Sequence, residues 1–158
     1  MQKIKPFLWF DGKAEEAANF YVSIFKNSKI TGMSRYGEEG PGPKGTVMVV
    51  TFELDGQQFM ALNGGPHFTF SPAISFLVNC ETQQEVDELW DKLSAGGTQE
   101  RCGWLRDKYG VSWQIVPTVL GKLMQDKDAE KSKRVMQAMM QMTKIDIAAL
   151  QKAYDGRT

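Results

Sequence analysis

The sequence predicts an α+β protein in which a βαβββ unit is used twice and a helical tail follows. Three observations carry this prediction. Strand, helix and strand signals recur in the same order in both halves of the 158 residues. The halves also match residue by residue. Laying Glu16 on Glu85 brings Ala17 onto Val86, Phe20 onto Leu89, Tyr21 onto Trp90 and Ile24 onto Leu93, and laying Gly56 on Gly110 brings Phe59 onto Trp113. Beyond Pro117 the apolar period is helical throughout. Strands flanking one helix, with a hairpin after it, make an α+β unit that must bury its sheet under that helix.

The first unit opens with Ile4 to Phe10, an apolar and aromatic run that reads as a buried strand ending at Asp11-Gly12. Ala14, Ala17, Ala18, Tyr21, Ile24 and Phe25 then share one helical face, while Lys13, Glu15, Glu16 and Asn19 face water. Asn27-Ser28 closes that helix, and a short strand is expected from Lys29 to Tyr36. The Gly- and Pro-rich stretch Gly37 to Gly45 predicts an exposed, mobile loop. Thr46 to Leu54 and Gln57 to Asn63 form a hairpin across Asp55-Gly56, a type I′ signal. Gly64-Gly65-Pro66 ends the unit.

The second unit starts with a strand from Ala73 to Asn79. Thr82 to Glu85 reads as a capping box, whose hydroxyl and carboxylate satisfy two orphan amides. Val86, Leu89, Trp90 and Leu93 form the buried helix face, and Gly96-Gly97 terminates it. Two short strands follow, Gly103 to Asp107 and Val111 to Val116, joined through a turn at Lys108-Tyr109-Gly110 whose charges, Asp107 included, are expected in water. In the tail, helices are expected over Thr118 to Asp126, Asp128 to Met142, and from an Asp146 cap to about Tyr154, stopped by Gly156. The methionines of the middle helix suit either docking on the chain's own sheet or crossing to a second subunit.

Composition narrows the function. Nineteen basic and nineteen acidic side chains cancel, so the surplus of cations needed to grip nucleic acid is missing. No apolar run reaches the ~20 residues of a membrane span. Two cysteines, Cys80 and Cys102, make neither a disulfide framework nor a zinc set; with no apolar leader they point to a reducing cytoplasm. Chemistry is therefore expected in a pocket.

Two segments are similar to a known family: Phe7 to Tyr21 (FLWFDGKAEEAANFY) and Cys102 to Pro117 (CGWLRDKYGVSWQIVP). Both resemble the PhnB-like branch of the glyoxalase / bleomycin-resistance / dioxygenase superfamily, also called vicinal oxygen chelate proteins. Met60 to Pro66 (MALNGGP) and Asp128 to Lys131 (DAEK) fit the same branch. The resemblance implies two βαβββ modules, about 1–70 and 71–117, each curling a sheet around a cavity, as one domain over 1–117 with 118–158 as a helical extension. It also implies a homodimer.

Active members of the superfamily hold a divalent metal with four His, Gln or Glu side chains. The resemblance carries those positions, to within one residue, onto Pro6, Met60, Ser75 and Gln114. Proline and methionine cannot serve a hard or borderline cation, and with one histidine in the chain neither a zinc set nor an iron triad can be completed. No metal and no cofactor is expected. Members are often labelled 3-demethylubiquinone methyltransferases. Here the first strand runs into Asp11-Gly12-Lys13-Ala14, without the Gly-rich turn on which a nucleotide-derived methyl donor rests in a doubly wound sheet.

The site residues follow from these readings. Trp9, Phe59, Ser75, Trp104 and Gln114 are candidates to bind a small molecule. The three aromatic residues suit either a core or a cavity wall. Alternation over Val111 to Val116 separates Trp113 and Ile115 from Gln114, which is either a polar handle in an apolar pocket or a core amide. His67 is either a loop histidine or a general base at a cavity mouth. Cys102, near Arg101 and Arg106, is either a small buried hydrophobe or a reactive thiol. The expected function is binding of a small-molecule ligand without a metal. The alternative is an enzyme, whether a non-metal lyase or isomerase using His67 or Cys102, or the methyltransferase of the label.

Overall fold

The computed structural model describes residues 2–157, and the chain divides into two compact units between Thr69 and Phe70. Unit 1 contains β1 (Phe7–Phe10), α1 (Ala14–Ile24), β2 (Lys29–Arg35), β3 (Val47–Leu54) and β4 (Gln57–Asn63). Its four strands are ordered β1-β4-β3-β2, with β1 parallel to β4 and the other pairs antiparallel. Ala14, Ala17, Ala18 and Tyr21 of α1 are buried, as are Leu8, Phe10, Val50, Phe52, Leu54, Phe59 and Ala61 of the sheet. Each large side chain fully buried there contributes roughly 1.5–3 kcal/mol. Asp55 and Gly56 both take positive φ, 49° and 78°, as the expected type I′ hairpin requires.

The start of α1 shows how the chain completes its own structure. Lys13 gives the helix no side-chain cap; instead Asn63, at the end of β4, accepts from the Ala14 amide at 2.8 Å. The stretch expected to be a loose loop is tied to a side chain. Tyr36 is buried, its hydroxyl donates to the Asn63 carbonyl at 2.5 Å, and Gly40 and Gly42 approach its ring so closely that a Cβ at either would meet ring carbons. Those glycines are there to let backbone close on both ring edges.

Unit 2 repeats the order with β5 (Ser75–Cys80), α2 (Gln83–Ser94), β6 (Thr98–Gln99), β7 (Trp104–Arg106) and β8 (Ser112–Pro117). Its strands are ordered β5-β8-β7-β6, again with the first and last strands of the unit parallel. Two βαβββ modules are thus present, as the repeat predicted. The strand β6 lay outside the sequence reading. Thr82 caps α2 by accepting from the Glu85 amide at 3.1 Å, while the Glu85 carboxylate reaches the Glu81 amide. Val86, Leu89, Trp90 and Leu93 of α2 are buried, with Leu105, Trp113 and Ile115 of the sheet.

Asp107 corrects the expectation of a solvated turn. It is 3% exposed and accepts from the Tyr109 and Val111 amides and from the Trp113 indole. A buried carboxylate persists only when donors replace its lost water, and here three do.

The tail comprises α3 (Thr118–Met124), α4 (Ala129–Met140) and α5 (Ile147–Asp155) and belongs to unit 2. Leu120, Val135, Ile145 and Leu150 form its core, with Val116 of β8, Met139 and Met142 packed against it. The Gln83 amide clamps the connection before α5, donating to the Ile145 carbonyl at 3.0 Å and accepting from the Ile147 amide at 2.8 Å. The Cys102 and Gly103 amides donate to the Met142 and Thr143 carbonyls, and Lys144 pairs with Asp87 at 2.9 Å. The methionine-rich helix therefore docks on its own chain through Met139, while Met136 and Met140 stay 40% and 52% exposed. Among the described residues no helix is long and apolar enough to cross a membrane.

Candidate functional site

Each sheet has one face under its helix and one turned away from it, and alternation decides which residues reach the second. In β8 the buried Trp113 and Ile115 take the α2 side, so Gln114 takes the other. The register sets Leu77 of β5 and Trp104 of β7 beside Gln114, and Ser75 and Arg106 beside Ser112. Gln114 Nε2 donates to Ser75 Oγ at 2.9 Å. Leu77 is 52% exposed and Trp104 is half-buried. Ser112 is buried, and its hydroxyl finds no hydrogen-bond partner. Arg106 is held by Glu100 at 3.2 Å.

Three sequence candidates, Ser75, Trp104 and Gln114, therefore lie on one face of one sheet. Together they offer an amide–hydroxyl pair, an indole and an aliphatic side chain. Such a face can orient a carbonyl, hydroxyl or amide group of a ligand by hydrogen bonding while the apolar neighbours take its carbon skeleton. Arg106, the cation that the register sets beside it, already has a carboxylate partner.

The remaining candidates are placed elsewhere. Trp9 lies in unit 1 on the face turned away from α1, with its indole donating to the Gly65 carbonyl at 2.8 Å. Phe59 points under α1, is 8% exposed and stacks on Phe52 at 5.5 Å, so it is a core residue. His67 is exposed in the connection after β4. Cys102 occupies a turn with φ 60° before β7, and its amide is engaged with the tail. Cys80 is fully buried; burial, reinforced by Glu85 and Glu81, pushes its thiol up to about 12, which leaves it protonated and unreactive.

The metal positions implied by the resemblance do not fit a metal. On the unit 1 face the register pairs Phe7 with Met60. Pro6 precedes the strand, and its carbonyl accepts from the Met60 amide at 3.0 Å. A one-residue shift moves a side chain to the opposite face, so Phe7 stands where Pro6 was expected. A phenyl ring and a thioether give no oxygen or nitrogen donor. On the unit 2 face, the Gln114 amide is spent in part on Ser75. Among the described residues no group of three or more His, Cys, Asp or Glu is arranged to hold a metal ion.

Residues 2–116 match the model of the 3-demethylubiquinone-9 3-methyltransferase family. The chain belongs to that family. A Bacillus cereus member described as a 3-demethylubiquinone-9 3-methyltransferase, PhnB, is 48% identical over 74% of this chain and 100% of its own, with a TM-score of 0.69. The Pseudomonas aeruginosa protein PA1353 shares the fold at 21% identity, over 74% of this chain and 98% of its own, with a TM-score of 0.61. The fosfomycin resistance protein FosX of Listeria monocytogenes shares it at 13% identity, over 79% and 98%, with a TM-score of 0.57. No curated protein matches the chain. The PhnB-like membership and the glyoxalase-type α+β fold expected from the two segments are thus met. The family match ends at residue 116, so α3, α4 and α5 lie beyond the matched residues.

Proposed function

We propose that this family member binds a small, uncharged or weakly polar molecule on the sheet face bearing Ser75, Trp104 and Gln114, and does so without a metal. The observation that carries this is the Gln114–Ser75 hydrogen bond at 2.9 Å, a neutral polar pair beside an exposed leucine and a half-buried tryptophan. Such a pair gives a ligand direction at little desolvation cost, because neither member is charged. The groups this face offers, an amide, a hydroxyl, an indole and an aliphatic side chain, are those of a binding surface. The methyl transfer in the family's description finds little support in the residues. The β1–α1 turn at Asp11-Gly12-Lys13 is not a Gly-rich cradle, and both sheets are mixed rather than doubly wound.

In this reading residues 1–117 are the ligand-binding domain and 118–158 an extension of it. The protein works as a homodimer in a reducing cytoplasm, where the free thiols Cys80 and Cys102 persist. Thermal-shift screening against divalent metals, quinones, S-adenosylmethionine and a metabolite library tests the proposal, together with metal analysis of the purified protein. Stabilisation by an uncharged metabolite supports it. A stoichiometric, tightly bound divalent metal, or consumption of S-adenosylmethionine, overturns it.

A further inference from the structure

In unit 1, Trp9 alternates with Leu8 and Phe10, which are buried, and is itself only half-buried. Residues 64–68 pass over it. The Gly64 backbone lies so close to the indole that a Cβ there would meet Cδ2, Cε2 and Cζ2. Gly65 takes φ +96°, a conformation open to glycine at little cost, and its carbonyl accepts the Trp9 Nε1 proton. Phe68 then sets its ring perpendicular to the indole, with centroids 4.9 Å apart and planes at 78°.

This contact differs from the core pairs of the same unit. Phe52 and Phe59 stack within buried surface, whereas Phe68 is 65% exposed. A ring so exposed gains little from the hydrophobic effect, which scales with area removed from water. What holds it is the perpendicular pairing of the two rings. Its neighbours Pro66, His67 and Thr69 are exposed too. Phe68 lies three residues past Gly65, so the indole–carbonyl hydrogen bond does not itself hold its ring.

We infer that Phe68 fills, from within unit 1, an aromatic subsite on Trp9 that a planar aromatic ring of a small molecule takes by displacing it. The inference rests on the small-molecule-binding reading and adds a ligand class, a molecule with a flat aromatic ring. An internal occupant lowers apparent affinity by the fraction of time the subsite stands open. Removing it therefore strengthens binding of a flat ring, while a saturated ring, which has no aromatic face or edge to pair with the indole, binds weakly whether Phe68 is present or not.

The test is a titration of the full chain with 2-naphthol and, separately, with cyclohexanol, followed through the indole N–H signals in nitrogen–proton NMR spectra. Comparison with Trp9→Phe identifies the Trp9 signal. Phe68→Ala should lower the 2-naphthol concentration at half-saturation of that signal about 3- to 10-fold, the range set by one aromatic pair. Phe68→Leu should give a smaller gain, and cyclohexanol should bind at least about 10-fold more weakly than 2-naphthol to wild type and variants alike. The other indole signals, of Trp90, Trp104 and Trp113, report whether each variant stays folded. An unchanged or weakened midpoint in Phe68→Ala overturns the inference, as does a wild-type Trp9 signal that never moves. If 2-naphthol moves only the Trp104 signal, the aromatic subsite on Trp9 is refuted while binding at Ser75 and Gln114 stands.

Discussion

The Asp107 carboxylate and the Trp113 indole are joined inside the β7–β8 hairpin, Oδ2 accepting from Nε1 at 2.9 Å. The other oxygen, Oδ1, accepts from the Tyr109 and Val111 amides at 2.8 and 3.1 Å. One side chain therefore closes the turn and fixes the tryptophan under α2. The same strand carries Gln114 to the opposite face, so this bond also fixes the register of the candidate site.

Replacing Asp107 should be costly in a graded way. Asp107→Asn keeps an oxygen for the two amides but turns an N–H toward the indole N–H, and should cost about 1.5–3 kcal/mol, the worth of a hydrogen bond to a charged group. Asp107→Ala leaves three donors unmet, two of them buried, and should cost more. Denaturant unfolding measures both, and a loss below 1 kcal/mol for the alanine variant would show the turn holding without it.

Much of this architecture is legible in the sequence because its signals are periodic. Alternation separates Gln114 from Trp113 and Ile115, and the helical spacing of Ala14, Ala17, Ala18 and Tyr21 marks the buried face of α1. Other features are not periodic. The β6 strand is two exposed residues, Thr98 and Gln99, too short for any pattern. Asp107 stands in a run, Asp107-Lys108-Tyr109-Gly110, whose composition is that of a solvated turn, and only the partner Trp113 across the hairpin reveals its burial. Gly40 and Gly42 read as breakers, although their work is to admit the Tyr36 ring, a contact made across the loop. Phe59 packs in the core at 8% exposure, which the sequence leaves open because an aromatic in a strand suits a core and a cavity wall equally.

The two cysteines should differ in chemistry. Cys80, fully buried and with its thiol pushed up to about 12, should resist alkylation in the native protein at pH 8, while half-buried Cys102 is the one thiol open to reagent. Mass spectrometry after iodoacetamide should show a single adduct on the folded chain and two after denaturation. Native labelling of Cys80 at a rate matching Cys102 would contradict its burial.

The tail should loosen in acid. Tyr154 donates to Asp126 at 2.5 Å, and that bond, helped by the Asp128 amide, holds the Asp126 carboxyl below its usual range. A carboxyl held low in the folded state stabilises it above the unfolded value, and the contribution is lost as pH falls through the folded value. The same bond pushes the Tyr154 phenol up, so its contribution is whole below the phenol's ordinary value and is lost as pH rises through the folded one. Tyr154→Phe should bring the Asp126 titration, followed by carboxyl carbon NMR, back toward the ordinary range. An unmoved Asp126 titration in that variant would contradict the pairing.

Removing the Gln83 amide should free the connection before α5. Gln83→Ala deletes the bonds to Ile145 and Ile147 and also the donor that, ahead of Lys144, holds Asp87 low. Two lost bonds of ordinary strength amount to roughly 1–3 kcal/mol. Hydrogen exchange at the Ile147 amide should accelerate while exchange in unit 1 stays constant; equal protection before and after would show that the apolar contacts of Ile145 and Leu150 suffice.

Dimer formation is expected from surface that one chain leaves uncovered. β1 and β5 stand at sheet edges, and edges invite pairing; Met136 and Met140 add exposed apolar area on α4. Light scattering should give twice the 17.8 kDa chain mass, and Met136→Glu with Met140→Glu should lower it if α4 is in the interface. Met139 is left in place, because it packs in the tail core and its loss would unfold the helices. A mass of one chain at micromolar concentration would refute the dimer.

Binding at the Gln114–Ser75 pair is tested most directly by calorimetric titration of the library compound that stabilises the protein most, against wild type and Gln114→Ala. The variant keeps Trp113 and Ile115 in the core and so should melt close to wild type, while its affinity falls about 10-fold, the upper range for one lost neutral hydrogen bond. Ser75→Ala should fall in the same direction, since the hydroxyl orients the amide. Undiminished affinity in both variants would contradict the account, and so would a Gln114→Ala chain that no longer folds, because the amide would then belong to the core.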